Sequence, residues 1–173
     1  VWDAETGQEL VTLTGHTDVV NQAVWSPDDS HILTASWDGT AQVWDAATGQ
    51  ELVTLTGHES AIYQAMWSAD ARRILTIGAD DTVRVWDAAS GAELITLFGQ
   101  TAGVAGAWLS ADNTRILVAG IDGTAQQYYT RMEDSLAVAC QCASRNMSRE
   151  EWSRFMGNAP YRATCPNVAV PEE

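Results

Sequence analysis

The sequence predicts an all-β protein assembled from repeated four-stranded antiparallel units and followed by a small α-helical C-terminal cap. Three observations carry this. Residues 1–130 repeat themselves with a period of 42. Within a period, the apolar residues fall in short runs bounded by Gly, Asp and Pro, which is the punctuation of strands and hairpins. After Tyr129 the apolar spacing becomes helical.

The period is set by Trp2, Trp44 and Trp86, and its next step lands on Tyr128. Gly15-His16 recurs as Gly57-His58 and then as Gly99-Gln100, and an Asp returns at 38, 80 and 122. Laying residues 1–42 on 43–84 gives about 25 identities, a density expected of one duplicated supersecondary unit per period. In the first complete unit the predicted strands are residues 19–26, 31–37, 41–45 and 51–55, with turn chemistry at Pro27-Asp28-Asp29-Ser30, Asp38-Gly39 and Thr48-Gly49. Four short antiparallel strands every 42 residues describe a β-propeller blade, whose two faces must be buried by stacking on neighbours.

The Gly-His pair, the Ser-Pro-Asp turn, Ser36-Trp37-Asp38-Gly39 and the closing Trp-Asp resemble the WD-repeat pattern over residues 1–130. The resemblance implies an incomplete propeller of about three blades. Residues 9–13 then look like the outer strand of a blade whose inner strands fall outside this sequence, and residues 103–129 like a blade without its outer strand. It further implies a structural hydrogen-bond network, complete in the first unit as His16, Ser36, Asp38 and Trp44. The second unit has His58, Asp80 and Trp86, with Gly78 in the Ser position, and the third retains only Asp122, so the network is expected to decay along the chain. Trp25 and Trp67, 42 apart, are expected to pack between blades, as are Trp2, Trp44 and Trp86. Partner contacts in the family map onto Trp37, Val19, Asn21, Ala61, Tyr63 and Ala79, with Trp37 the leading anchor because an exposed indole buries a large rigid surface at an interface.

Beyond Tyr129, Thr130 with Glu133 forms a capping box, and Met132, Leu136, Ala139, Cys140 and Ala143 make an apolar helical stripe. Ser148 with Glu151 starts a second helix that carries Trp152, Phe155 and Met156 and stops at Gly157. The remainder contains Pro160, Pro166 and Pro171 and is expected to run as an extended strap. Cys140 and Cys165 are expected to lie close together, as a disulfide or as two buried thiols, with Cys142 pointing elsewhere. The tail resembles a terminal module that follows WD-repeat arrays in large bacterial signalling proteins, including nucleotide-binding switch ATPases. This divides the chain into residues 1–130 and residues 131–173.

Charge and motifs narrow the function. The net charge is −14, with nine arginines and no lysine, which disfavours nucleic acid and anionic membranes as partners. Residues 1–130 carry nearly all of it, 17 acids against four arginines. No apolar run approaches membrane-spanning length. His16, Ser36 and Asp38 do not read as a catalytic triad, because the set lies on an interior strand and is copied in degraded form from unit to unit. Three dispersed histidines lack zinc spacing, the Asp pairs are too small for a calcium loop, and there is no phosphate-binding loop, so neither metal nor cofactor is expected. The sequence reads as a non-catalytic interaction, scaffold or sensor module with a protein or peptide partner. It is expected to be the C-terminal part of a longer bacterial signalling protein. The alternative is the recognition arm of a switch ATPase, kinase or protease whose catalytic part lies upstream. Further blades or copies of the chain are the expected neighbours of the open blade faces. With no targeting pattern in view, the compartment is unread.

Overall fold

A computed structural model describes residues 1–98 and 103–130. The expected helical cap, and with it Cys140 and Cys165, lies outside the described residues. The described part is almost wholly one compact unit, Val1–Tyr128.

Three antiparallel sheets follow one another along the chain. Blade 1 contains β1 (Val20–Trp25), β2 (His31–Ser36), β3 (Ala41–Asp45) and β4 (Glu51–Leu55). Blade 2 contains β5 (Ile62–Trp67), β6 (Arg73–Gly78), β7 (Val83–Asp87) and β8 (Glu93–Leu97). Blade 3 contains β9 (Val104–Leu109), β10 (Arg115–Gly120) and β11 (Ala125–Tyr129). Consecutive strands pair within each blade, so every connection is a hairpin. Observed strands begin and end within one residue of the expected ones in the first unit.

The hairpins close with the expected side chains. Asp28 Oδ1 accepts from Ser26 Oγ at 2.6 Å and from Ser30 N and Oγ, and the Ser68-Asp70 and Ser110-Asp112 turns repeat this. Asp45 Oδ1 accepts from Thr48 N and Oγ1, both at 2.7 Å. The ladder between the first two strands slips at one place in each blade, leaving Asn21 and Tyr63 as extra residues in blades 1 and 2. Such a bulge re-aims its extra side chain away from the ladder.

Residues 9–13 do not form a ladder strand. They are joined to Val1–Asp3 by the bridge between Trp2 and Glu9 and by backbone hydrogen bonds, Val1 N donating to Val11 O at 2.6 Å and Leu10 N to Val1 O at 2.9 Å.

Core apolar groups lie between blades. Leu33, Ala35, Val43 and Leu55 of blade 1 pack against Ile62, Ala65, Ile74 and Trp86 of blade 2. One period later Leu75, Ile77, Val83 and Val85 meet Ala107, Ile116 and Val118. Leu33, Leu55, Ile62, Ile74 and Leu75 are fully buried, each worth about 1.5–3 kcal/mol of transfer free energy. Of the five tryptophans expected between blades, Trp44 and Trp86 are buried, and Trp67 packs on the first cluster with its ring 6.3 Å from that of His31. Trp25 and Trp2 depart from the expectation, being 50% and 66% exposed, because no blade covers their side of blade 1 among the described residues.

Candidate functional site

Two sets of the singled-out residues assemble in different places. One is internal to each blade. In blade 1, His16 Nδ1 lies 2.8 Å from Asp38 Oδ2, and His16 Nε2 lies 2.7 Å from Thr34 Oγ1. The Trp44 indole donates to the same hydroxyl at 2.8 Å. Blade 2 repeats the arrangement: His58 Nδ1 is 3.0 Å from both oxygens of Asp80, His58 Nε2 is 2.7 Å from Thr76 Oγ1, and Trp86 donates to Thr76 at 2.8 Å. A neutral ring bonded to a carboxylate through Nδ1 must donate there, so Nε2 accepts. The proton order is then fixed from indole to hydroxyl to imidazole to carboxylate.

The hydroxyl in this chain is Thr34, not the expected Ser36. Strand alternation places both on one face, but β2 pairs with β3 so that Ile32 opposes Trp44 and Thr34 opposes Gln42. The indole reaches one diagonal step to Thr34. Ser36 lies two residues farther, at the hairpin end, where its Oγ accepts from Asp38 N at 3.1 Å and donates to Asp18 O at 3.3 Å. The expected loss of the network at Gly78 is corrected for the same reason: Thr76 stands one period after Thr34, and the chain in blade 2 is complete. Gly78 is required there in another way. A Cβ on it would lie 2.3 Å from His58 Nδ1 and 2.4 Å from Asp80 Oδ1.

Electrostatics follow the geometry. Partial burial raises the Asp80 carboxyl, but hydrogen bonds from Glu59 N, Thr82 and His58 outweigh it and bring it down to about 2. Asp38, held by Thr40, Thr17 N and His16 against the same burial, lies well below the ordinary carboxylate range. Burial pushes His58 below its usual value despite Asp80 beside it. Arg84 reaches Asp80 at 3.8 Å and donates to Glu93 at 2.6 Å, an ion pair that the sequence reading overlooked. Blade 1 has Gln42 at that position, and its buried Oε1 has no hydrogen-bond partner. The one sequence signal for Thr34 and Thr76 is their recurrence at the same phase, but Ser36 shares the strand face of Thr34 and the pairing of β2 with β3 decides between them.

The second set lies at the bulged end of the strands and is exposed. Trp37 is 53%, Val19 50% and Tyr63 56% accessible, Asn21 is also exposed, and Ala61 and Ala79 are half-buried. Three hydrogen bonds join the six in pairs: Trp37 N to Val19 O at 2.9 Å, Ala79 N to Ala61 O at 2.7 Å, and Asn21 Nδ2 to Tyr63 O at 3.0 Å. Trp37 and Ala61 line a hollow of about 400 Å³ between blades 1 and 2, together with Asp18, Glu59 and Ser60. Nothing in this set forms a nucleophile with a base, and among the described residues no three metal-ligating side chains gather. The hollow sets Trp37 beside Asp18 and Glu59, with Asp38 of the internal network also on its lining.

No curated protein matches the chain. Among solved structures, it is similar to the crystal structure of the computationally designed Ika8 protein, with 29% identity and a TM-score of 0.65 over 75% of this chain. The match spans 39% of the Ika8 chain, so the whole-protein properties of that design do not bear on this one. Residues 7–45 and 49–87, the two segments that carry the complete indole-to-carboxylate chains of blades 1 and 2, each match the WD domain, G-beta repeat family.

Proposed function

We propose that residues 1–130 are a non-catalytic protein-recognition unit, with residues 131–173 a separate C-terminal module, and that the partner docks on the face carrying Trp37, Val19, Asn21, Ala61, Tyr63 and Ala79. WD repeats generally mediate protein–protein interaction, which supports the class. The observation that carries the reading is the exposure of Trp37, Val19 and Tyr63 on one face beside a hollow flanked by Asp18 and Glu59. An indole and two carboxylates together suit a peptide with Arg or Lys, through cation–π contact and charge pairing. The tail's resemblance to modules that end large bacterial signalling proteins supports placing this unit as their scaffold or sensor part, or as the recognition arm of a switch ATPase, kinase or protease.

Panning a short-peptide library against the chain, followed by calorimetry on the selected peptides, tests the site. Basic peptides are expected, weakened by added salt and weakened about tenfold or more by Trp37→Ala, as for an interface hot spot. Leu52→Ala, at an exposed residue of β4, should change nothing. Selected peptides that are acidic, or that bind Trp37→Ala as tightly as the parent chain, would overturn the assignment.

A further inference from the structure

Blades 1 and 2 enclose another hollow, at the end of the strands away from Trp37. His31 is the first residue of β2 and Trp67 the last of β5, and both line a space of about 430 Å³. Their rings lie 6.3 Å apart. The remaining walls are apolar, with Val43 and Leu52 from blade 1 and Ala71 and Ala88 from blade 2. A hollow of this size, walled by apolar and aromatic side chains around one polar group, has the build of a small-molecule site.

The repeat shows what makes the hollow. One period on, at the seam between blades 2 and 3, Arg73 replaces His31, Asn113 replaces Ala71, Thr130 replaces Ala88 and Leu109 replaces Trp67. Arg73 crosses that seam, its Nη1 donating to Asn113 O at 3.3 Å. His31 instead turns to its own hairpin, where Nδ1 lies 2.6 Å from Ser30 Oγ. Between blades 1 and 2, side-chain bulk is thus removed at three positions and an aromatic wall is set at a fourth. Ala71 also carries a backbone cost. Its φ is +58°, the left-handed value shared by Asp29 and Asn113 one period to either side. Asp and Asn offset that conformation with a side-chain hydrogen bond, which alanine lacks. A strained residue kept small at the wall of a hollow points to a use for the space.

We infer that this hollow binds a small neutral aromatic ring bearing a hydroxyl, the ring against Trp67 and the hydroxyl donating to His31 Nε2. The direction of that bond follows from the hairpin. Ser30 Oγ donates to the Asp28 carboxylate at 2.7 Å, the stronger of its two acceptors, so towards His31 it accepts and Nδ1 carries the imidazole proton. In the neutral ring Nε2 then holds a lone pair, and it has no partner among the described residues. Charge selects against an anion. Asp45 opposes His31 across the β2–β3 ladder, and residues 1–130 carry 17 acids against four arginines. A carboxylate ligand is repelled there, whereas a phenolic hydroxyl supplies the donor without charge. The hollow shares no lining residue with the one beside Trp37, so each can be tested without the other.

Calorimetric titration of the 173-residue chain with 2-naphthol should show saturable binding. Naphthalene, which keeps the rings and lacks the donor, should bind about fivefold more weakly, the scale of one hydrogen bond. 2-Naphthoate should not bind. Ala71→Asn places the residue of blade 3 at a φ that asparagine accepts, so it should melt as the parent does or later while abolishing 2-naphthol binding. His31→Phe should lower 2-naphthol to the affinity of naphthalene and leave naphthalene unchanged. N-acetyltyrosinamide, whose amides would meet the apolar walls, should bind more weakly than 2-naphthol. Trp37→Ala should change none of this. No saturable binding, equal affinities for 2-naphthol and naphthalene, a folded Ala71→Asn that binds as the parent does, or loss of binding in Trp37→Ala would each overturn the inference. So would tighter binding of N-acetyltyrosinamide, which would make the occupant a peptide's tyrosine.

Discussion

Blades 2 and 3 are built on the same 42-residue unit, yet the indole-to-hydroxyl link that ties blade 2 through its middle is not repeated in blade 3, where Val118 replaces the threonine. In blade 2, Asp80 takes hydrogen bonds from Glu59 N, Thr82 and His58, and the imidazole is joined through Thr76 to the Trp86 indole. In blade 3, Val118 stands where Thr76 does and Tyr128 where Trp86 does, and Asp122 accepts from Thr124, N at 2.9 Å and Oγ1 at 2.7 Å, in an exposed turn. Val118 is 1% exposed and packs in the second apolar cluster. A buried valine needs no partner, whereas a buried hydroxyl must be connected to be tolerated. With Val118 for Thr76 and Tyr128 for Trp86, the indole-to-hydroxyl link of blade 2 has no counterpart in blade 3, and packing takes over at position 118.

The largest effect on this contrast should come from Thr76→Val, which gives blade 2 the residue of blade 3 while leaving His58 Nε2 and Trp86 Nε1 without their shared partner. At about 1–3 kcal/mol for each orphaned group, a loss of about 2–6 kcal/mol is expected in denaturant melts. A loss under about 0.5 kcal/mol, the size of an ordinary surface substitution, would break the account.

Next in size is a pair of carboxylate deletions. Asp80→Ala should cost about 1–3 kcal/mol because its donors are left buried, while Asp122→Ala, at an exposed turn, should stay within about 1 kcal/mol. The same excess is expected for Asp38→Ala. Equal losses at positions 80 and 122 would remove the distinction between the blades.

Gly78→Ser sharpens the comparison from the other side. It installs the residue that blade 1 has as Ser36, but the new Cβ meets His58 and Asp80 at 2.3–2.4 Å. Because those side chains are fixed by their own hydrogen bonds, a loss of about 1 kcal/mol is expected, as for mild overpacking. A gain in stability would show that a serine completes the blade 2 network.

Mild acid should have the smallest effect. The folded state holds His58 below its usual 6.5, so the unfolded chain binds the proton first. This contribution is present above pH 6.5 and declines as pH falls through it. The Asp80 contribution is present above its ordinary 3.8 and disappears as pH falls towards about 2. Stability should therefore drop slightly between pH 7 and 5 and more steeply below pH 4. His58→Gln should remove the first decline and leave the second. A flat profile down to pH 4 in the parent chain would contradict the burial of a neutral imidazole.

The candidate sites were legible to different depths. His16, Asp38, Trp44 and their second-unit counterparts could be read from the repeat, since each polar type recurs at one phase. The linking hydroxyl could not, because Thr34 and Ser36 share a face and only the pairing of Ile32 with Trp44 decides which the indole reaches. Trp37 and Tyr63 stood out as aromatics, but the bulge that turns Asn21 and Tyr63 outward depends on the ladder slipping there. Asp18 and Glu59 were ordinary acids in sequence and became the rim of a hollow only when blades 1 and 2 were laid side by side.

What the sequence by itself determined is the unit: its period, its four strands, the Asp, Ser and Gly turns and the apolar side chains of the faces. These are local matters, set by alternation and turn chemistry within a dozen residues of chain. What only the tertiary structure decided is how identical residues come to differ. Trp25 and Trp67 occupy the same place in the repeat, and one is half exposed while the other packs against His31. Burial is a property of what lies across the interface, and a repeated sequence cannot encode the neighbour that each copy of it meets.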